Sequence, residues 1–193
     1  MKTIHVLATI CLLALLTYSN GLAQCPSGYT HYCDNAIVDG CDVTICYCVN
    51  YNIYTRLYDI QIKSITKNSP CSTPFSTLLV DAQIQILNDN QFGAGWFPCD
   101  YQHVWYNVTV TNAQCWKFAT QHIGGPFDGH DISVLTPCDE STTCVTQYAV
   151  CRDAVDGTVH IIPGLNHTYG SSSCSIWPNE PQENTCYSMP CPQ

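Results

Sequence analysis

Basic residues are scarce in this chain. Six lysines and arginines stand against 15 acids, for a formal net charge of -9. Beyond residue 23 the basic residues are Arg56, Lys63, Lys67, Lys117 and Arg152, with no two adjacent. A nucleic-acid surface follows phosphates with a basic patch, so this composition argues against that partner. The same shortage argues against binding to anionic lipid surfaces. Beyond the N-terminus no apolar run approaches the ~20 residues of a membrane-spanning helix.

Several motifs are also missing. No two cysteines have the C-x-x-C spacing of zinc knuckles and ribbons. No G-x-S-x-G elbow occurs, and Gly170-Ser171-Ser172-Ser173-Cys174 is a polar loop. The calcium-loop pattern D-x-[DN]-x-[DN]-G is absent. The glutamates Glu140, Glu180 and Glu183 fall in loop-like stretches, and no acid is singled out by its neighbours as a hydrolytic group.

What is present begins with a targeting pattern. Lys2 precedes a mostly apolar run from Ile4 to Leu16, and Gly21-Leu22-Ala23 supplies small residues where a signal peptidase reads. Residues 1–23 read as a secretory signal, with the mature chain starting at Gln24 and residues 24–193 forming one domain. A lipid anchor on Cys25 is disfavoured, because Gln24 stands where lipid attachment wants a small residue.

Removing the signal takes Cys11 and leaves 14 of the 15 cysteines. They are Cys25, Cys33, Cys41, Cys46, Cys48, Cys71, Cys99, Cys115, Cys138, Cys144, Cys151, Cys174, Cys186 and Cys191. An even count at this density, behind a signal, implies seven disulfides and an oxidising compartment. The expected location is secreted or extracellular, with the periplasm or a cell surface as variants.

The stretch Cys41 to Cys48 organises the rest. Cys46 and Cys48 are two apart, so on a strand they share a face and tie it to two other parts of the chain. Gln24 to Gly40 reads as a loop or short strand pinned by Cys25 and Cys33. A long apolar/polar run from Ile53 to Thr66 follows the anchor. Within it Tyr58, Ile60 and Ile62 alternate with Asp59, Gln61 and Lys63, and Ile65 falls out of phase. That signals a strand with a bulge, or an end to one-sided burial. Thr73-Pro74 reads as an N-cap followed by proline at the first helical position, predicting a helix over 74–88. A bridge between Cys71 and Cys99, which bracket that helix, is expected.

Val104, Tyr106, Val108 and Val110 alternate with His103, Trp105, Asn107 and Thr109, and Cys115 to Phe118 suggests a third strand. Gln121 to Asp131 reads as a Gly/Asp/His loop, and Cys144 to Arg152 as a strand. Asp156-Gly157 signals a turn, with Thr158 to Ile162 returning. The stretch 164–193 reads as an irregular tail stapled by Cys174, Cys186 and Cys191. The expected fold is a single disulfide-rich, mainly antiparallel β domain with about one helix.

For function, the sequence favours a non-catalytic structural or binding protein at or near a cell surface, with a carbohydrate or protein ligand. The candidate binding residues are Trp105, His103, Asn107 and Trp96. A tryptophan on the polar face of a strand, or in a glycine loop, is a platform on which a ring or side chain can stack. No cofactor and no metal are expected. The alternative is a secreted hydrolase, metal-dependent through His122, Asp128, His130 and Asp131, whose imidazoles and carboxylates fall within ten residues. A disulfide-rich inhibitor or defence protein is a further alternative. Asn107-Val108-Thr109 and Asn166-His167-Thr168 match the N-glycosylation sequon.

Overall fold

The computed structural model describes residues 24–89, 98–99, 106–124, 129–189 and 191. Among the described residues eight strands form one sheet: β1 (Thr30–Val38), β2 (Cys41–Asn52), β3 (Leu57–Lys67), β4 (Tyr106–Ile123), β5 (His130–Arg152), β6 (Val159–Tyr169), β7 (Ser175–Ile176) and β8 (Tyr187–Ser188). Among the same residues one helix, α1 (Phe75–Asp89), follows β3. Pairings are antiparallel except β3 with β4 and β7 with β8, which are parallel. Among the described residues, no helix is long and apolar enough to cross a membrane.

Alternation decides which side of the sheet is core. Val43, Ile45, Tyr47 and Val49 of β2 are buried, as are Tyr58, Ile60, Ile62 and Ile65 of β3, and Val108 and Val110 of β4. The helix contributes Leu78, Leu79, Ala82, Ile86 and Leu87 to the same core. In β3 the phase change has the expected cause. Cys46 faces Ser64 and Tyr47 faces Ile62, so Lys63 is the extra residue of a bulge. The bulge resets the alternation and returns Ile65 to the core side.

The helix differs from expectation at its first turn. Thr73 does not cap it, because its hydroxyl donates to Asp39, to the backbone oxygen at 3.3 Å and the carboxylate at 3.2 Å. The first helical hydrogen bond runs from Leu78 N–H to the Pro74 carbonyl at 3.1 Å. The Thr73 carbonyl instead accepts from Lys67 Nζ at 2.6 Å, which ties the helix start to the end of β3.

Seven disulfides hold these parts together. Cys33–Cys46 joins β1 to β2, and Cys25–Cys48 folds the N-terminal segment back over the face opposite the helix. Tyr29 adds a hydrogen bond from its hydroxyl to the Asp59 carboxylate on that face. Cys115–Cys174, Cys138–Cys186 and Cys144–Cys191 fasten the C-terminal stretch to β4 and β5.

The expected Cys71–Cys99 bridge is not formed. Cys71 pairs with Cys41, and Cys99 pairs with Cys151. The helix explains why: its 15 residues carry the chain ~22 Å from one end of the sheet to the other. A disulfide spans only about 4.4–6.8 Å between Cα atoms. Cys71 stays near the start of β2, whereas Cys99 arrives beside the end of β5, where its N–H donates to the Arg152 carbonyl at 2.8 Å.

Strand lengths differ too. The segment 24–40 contains a nine-residue edge strand, where a loop or short strand was expected. The expected second and third strands are one 18-residue strand, β4, bent by register shifts around Gln114. Much of the expected Gly/Asp/His loop is ribbon, since Gln121 to Ile123 pair with Ile132 to His130. Strand β6 extends to Tyr169, so irregular chain begins later than 164.

The β4–β5 ribbon gives the sheet its unusual joint. Near its start, β3 pairs in parallel with β4, Leu57 to Gln61 against Asn107 to Thr111. Near its end, β3 pairs with β5, Ile65 to Lys67 against Leu135 to Ser133. Where the partner changes, the strands separate around a cavity of about 260 Å³ lined by Gln61, Lys63, Thr111, Pro137 and Thr143.

Candidate functional site

Register places several turns at one end of the sheet. Leu57 of β3 pairs with Asn107 of β4, and Asn107 pairs with Ala149 of β5. Beyond that level lie the β2–β3 turn (53–56) and the β5–β6 turn (153–158). These turns carry large apolar side chains into solvent: Ile53 is 69 % exposed, Tyr54 95 % and Val155 96 %, and Leu57, the first residue of β3, is 37 % exposed.

Both turns are held by their own polar side chains. The Asn52 carboxamide oxygen accepts from the backbone N–H of Tyr54 at 3.0 Å and of Thr55 at 3.2 Å. This is the Asx arrangement that makes asparagine a turn former. In the β5–β6 turn, Asp153 Oδ1 accepts from Val155 N–H at 2.7 Å, and Asp156 Oδ1 from Thr158 N–H at 2.8 Å. The latter bond, made to the charged carboxylate, holds Asp156 below the ordinary carboxylate range. Arg152 Nε closes the turn by donating to the Gly157 carbonyl at 2.9 Å. Gly157 has φ +76°, the left-handed region that glycine enters without strain.

Beside this turn is an open cleft of about 380 Å³ lined by Pro98, Arg152, Asp153, Ala154 and Gly157. The Cys99–Cys151 bridge and the Pro98–Arg152 strand contact fix its floor. The end therefore combines apolar tips, a charged cleft and a rigid base.

Compared with known proteins, the chain matches no family model, no curated protein and no solved structure.

Of the residues singled out by sequence, Asn107 is exposed at this same end of the sheet. Trp96, His103 and Trp105 lie outside the described residues. The other two tryptophans serve the interior. Trp116 is fully buried and donates its indole N–H to the Ala113 carbonyl at 2.5 Å. Trp177 packs edge-on against Phe75 and Tyr187.

The histidine cluster divides between two faces at the opposite end of the ribbon. His122 pairs across the strands with Asp131, and Nδ1 lies 2.8 Å from Oδ1 in an exposed contact. His130 pairs with Ile123, one residue out of step, so it belongs to the other face of the ribbon. Asp128 lies outside the described residues. Among the described residues, the one group of three with metal-ligand spacing, His31 with Cys33 and Cys46, spends both sulfurs in the Cys33–Cys46 disulfide.

Sequence reasoning did not single out Ile53, Tyr54, Leu57 or Val155. The sequence shows one apolar/polar run from Ile53 to Thr66 after the anchor, with clear alternation from Tyr58; in the structure Ile53 to Arg56 are turn and the strand starts at Leu57. The usable signal was Asn52, a turn former placed between two alternating runs.

Proposed function

We propose that this chain is a secreted, non-catalytic binding protein that holds an extracellular protein partner against the turn end of its sheet. The observation that carries the reading is the outward placement of Ile53, Tyr54 and Val155 on two turns of that end, with Leu57 exposed at the first position of β3. Single exposed apolar residues are ordinary, but a set of them collected at one rigid end marks an interaction surface. Rigid turns lose little conformational freedom on binding, which favours affinity. A protein partner fits better than a carbohydrate. Sugars need convergent hydrogen-bonding groups around an aromatic ring, and Ile53 and Val155 offer none. Tyrosine is one of the residues enriched at the centre of protein interfaces.

The test is capture of cell-surface and matrix proteins by the immobilised mature chain, with a glycan array in parallel. An Ile53→Ser/Tyr54→Ser/Val155→Ser variant should lose specific capture at least tenfold while its unfolding midpoint stays within error of the parent. Undiminished capture by this variant, or strong glycan-array binding that it retains, would contradict the proposal.

A further inference from the structure

Strand β6 is an edge. It pairs with β5 on one side, and among the described residues no strand lies on the other. Nearly all of it is exposed, with Leu165 at 66 % and Tyr169 at 58 %. An open edge with apolar side chains is a template for pairing with a second chain, and proteins suppress this with specific devices. Pro163 is one such device, since it has no N–H to offer. It protects the first half of the strand only. From Gly164 to Tyr169 the edge carries no proline, no lysine and no acidic residue.

Asn166 is in the middle of that unprotected half. It is exposed, and so is Thr168, the hydroxyl residue of its sequon. The second sequon is placed differently. Asn107 is in β4, laddered to Leu57 on one side and Ala149 on the other, so it has no open edge to cover.

We infer that Asn166 carries an N-linked glycan that covers the β6 edge and keeps the chain from associating through it. The inference rests on the secretory reading above. In the modification, the Asn166 side-chain nitrogen bonds to C1 of an oligosaccharide carried on a lipid pyrophosphate. The C1–O bond breaks, the amide loses one proton, and the lipid pyrophosphate leaves with the electron pair. The product is a bulky, solubilising group on the strand.

The experiment expresses the full chain, with its own N-terminus, in a eukaryotic cell line. The Asn166 peptide is then mapped by mass spectrometry in medium and lysate together, before and after amidase removal of N-glycans. The expected result is a glycosylated Asn166 that becomes aspartate on amidase treatment. Asn166→Gln and Thr168→Ala should lose the glycan, whereas Thr168→Ser, which keeps the acceptor pattern, should retain it. By light scattering, the Asn166→Gln protein should shift to dimers and larger species as concentration rises, while the parent and Thr168→Ser stay monomeric. An unmodified Asn166 peptide overturns the inference, and a glycosylated parent whose Asn166→Gln variant stays monomeric overturns the shielding role. Appearance of the chain in the medium is read separately, so failure of the secretory reading is distinguishable from failure at Asn166.

Discussion

Tyr47 has no exposed surface, and its hydroxyl donates to the Asp34 carboxylate of the neighbouring strand. Burial, then that hydrogen bond, pushes its ionisation far above the ordinary phenol value. Tyr148, buried under the helix, donates to Gln83 Oε1 at 2.9 Å, and burial raises it to about 12. Tyr29 is also raised to about 12, by burial first and then by its bond to Asp59. The unfolded phenol titrates near 10, so the folded chain holds these protons more tightly between pH ~10 and ~12. Their contribution to stability is complete below pH ~10 and is lost as pH rises towards ~12. A spectrophotometric titration should therefore show an exposed group of phenols ionising near pH 10. A second group should ionise only with loss of near-ultraviolet circular dichroism. A single wave with the tertiary signal intact would contradict the burial assigned to Tyr47 and Tyr148.

At the scale of elements, local patterns were legible and long-range pairing was not. The alternation of Tyr58, Ile60 and Ile62 and the dislocation at Ile65 specified strand β3 and its bulge, because one buried face fixes phase. The helix over 74–88 appears at Phe75–Asp89, although its first turn is fastened by Lys67 and Pro74 rather than by Thr73. Val108 and Val110 are buried and Asn107 is exposed, as alternation requires. The change of partner along β3 leaves no local trace, since it depends on residues about 50 to 70 positions away. The expected Cys71–Cys99 bridge failed for the same reason, as the two cysteines are neighbours in sequence order and occupy opposite ends of the sheet. The observed bridge Cys41–Cys71 closes a loop of 30 residues and anchors the helix start. On the chain-entropy model such a loop is worth ~3–4 kcal/mol. Cys41→Ala/Cys71→Ala should lower the unfolding free energy by about that amount in denaturant, with far-ultraviolet circular dichroism retained. A loss within error of zero would mean that this bridge does not hold the helix start.

The whole molecule is a disulfide-framed sheet whose two ends differ. One end presents the His122–Asp131 pair on an open ribbon, and the other presents apolar tips on hydrogen-bonded turns. At the turn end the Cys99–Cys151 bridge ties the chain beside Arg152 to β5. If the secretory reading holds, the isolated protein should begin at Gln24 and show no free thiol when denatured. N-terminal sequencing and thiol titration check this, and a stoichiometric thiol would contradict the oxidising compartment. The central claim is that the turn end is where a partner sits. Its most direct measurement is photo-crosslinking on intact cells, with a benzophenone amino acid placed at position 54 in one variant and at position 122 in another. The expected result is a discrete protein adduct from position 54 that excess unlabelled parent suppresses, and none from position 122. No adduct from position 54, or equal adducts from both positions, would contradict it.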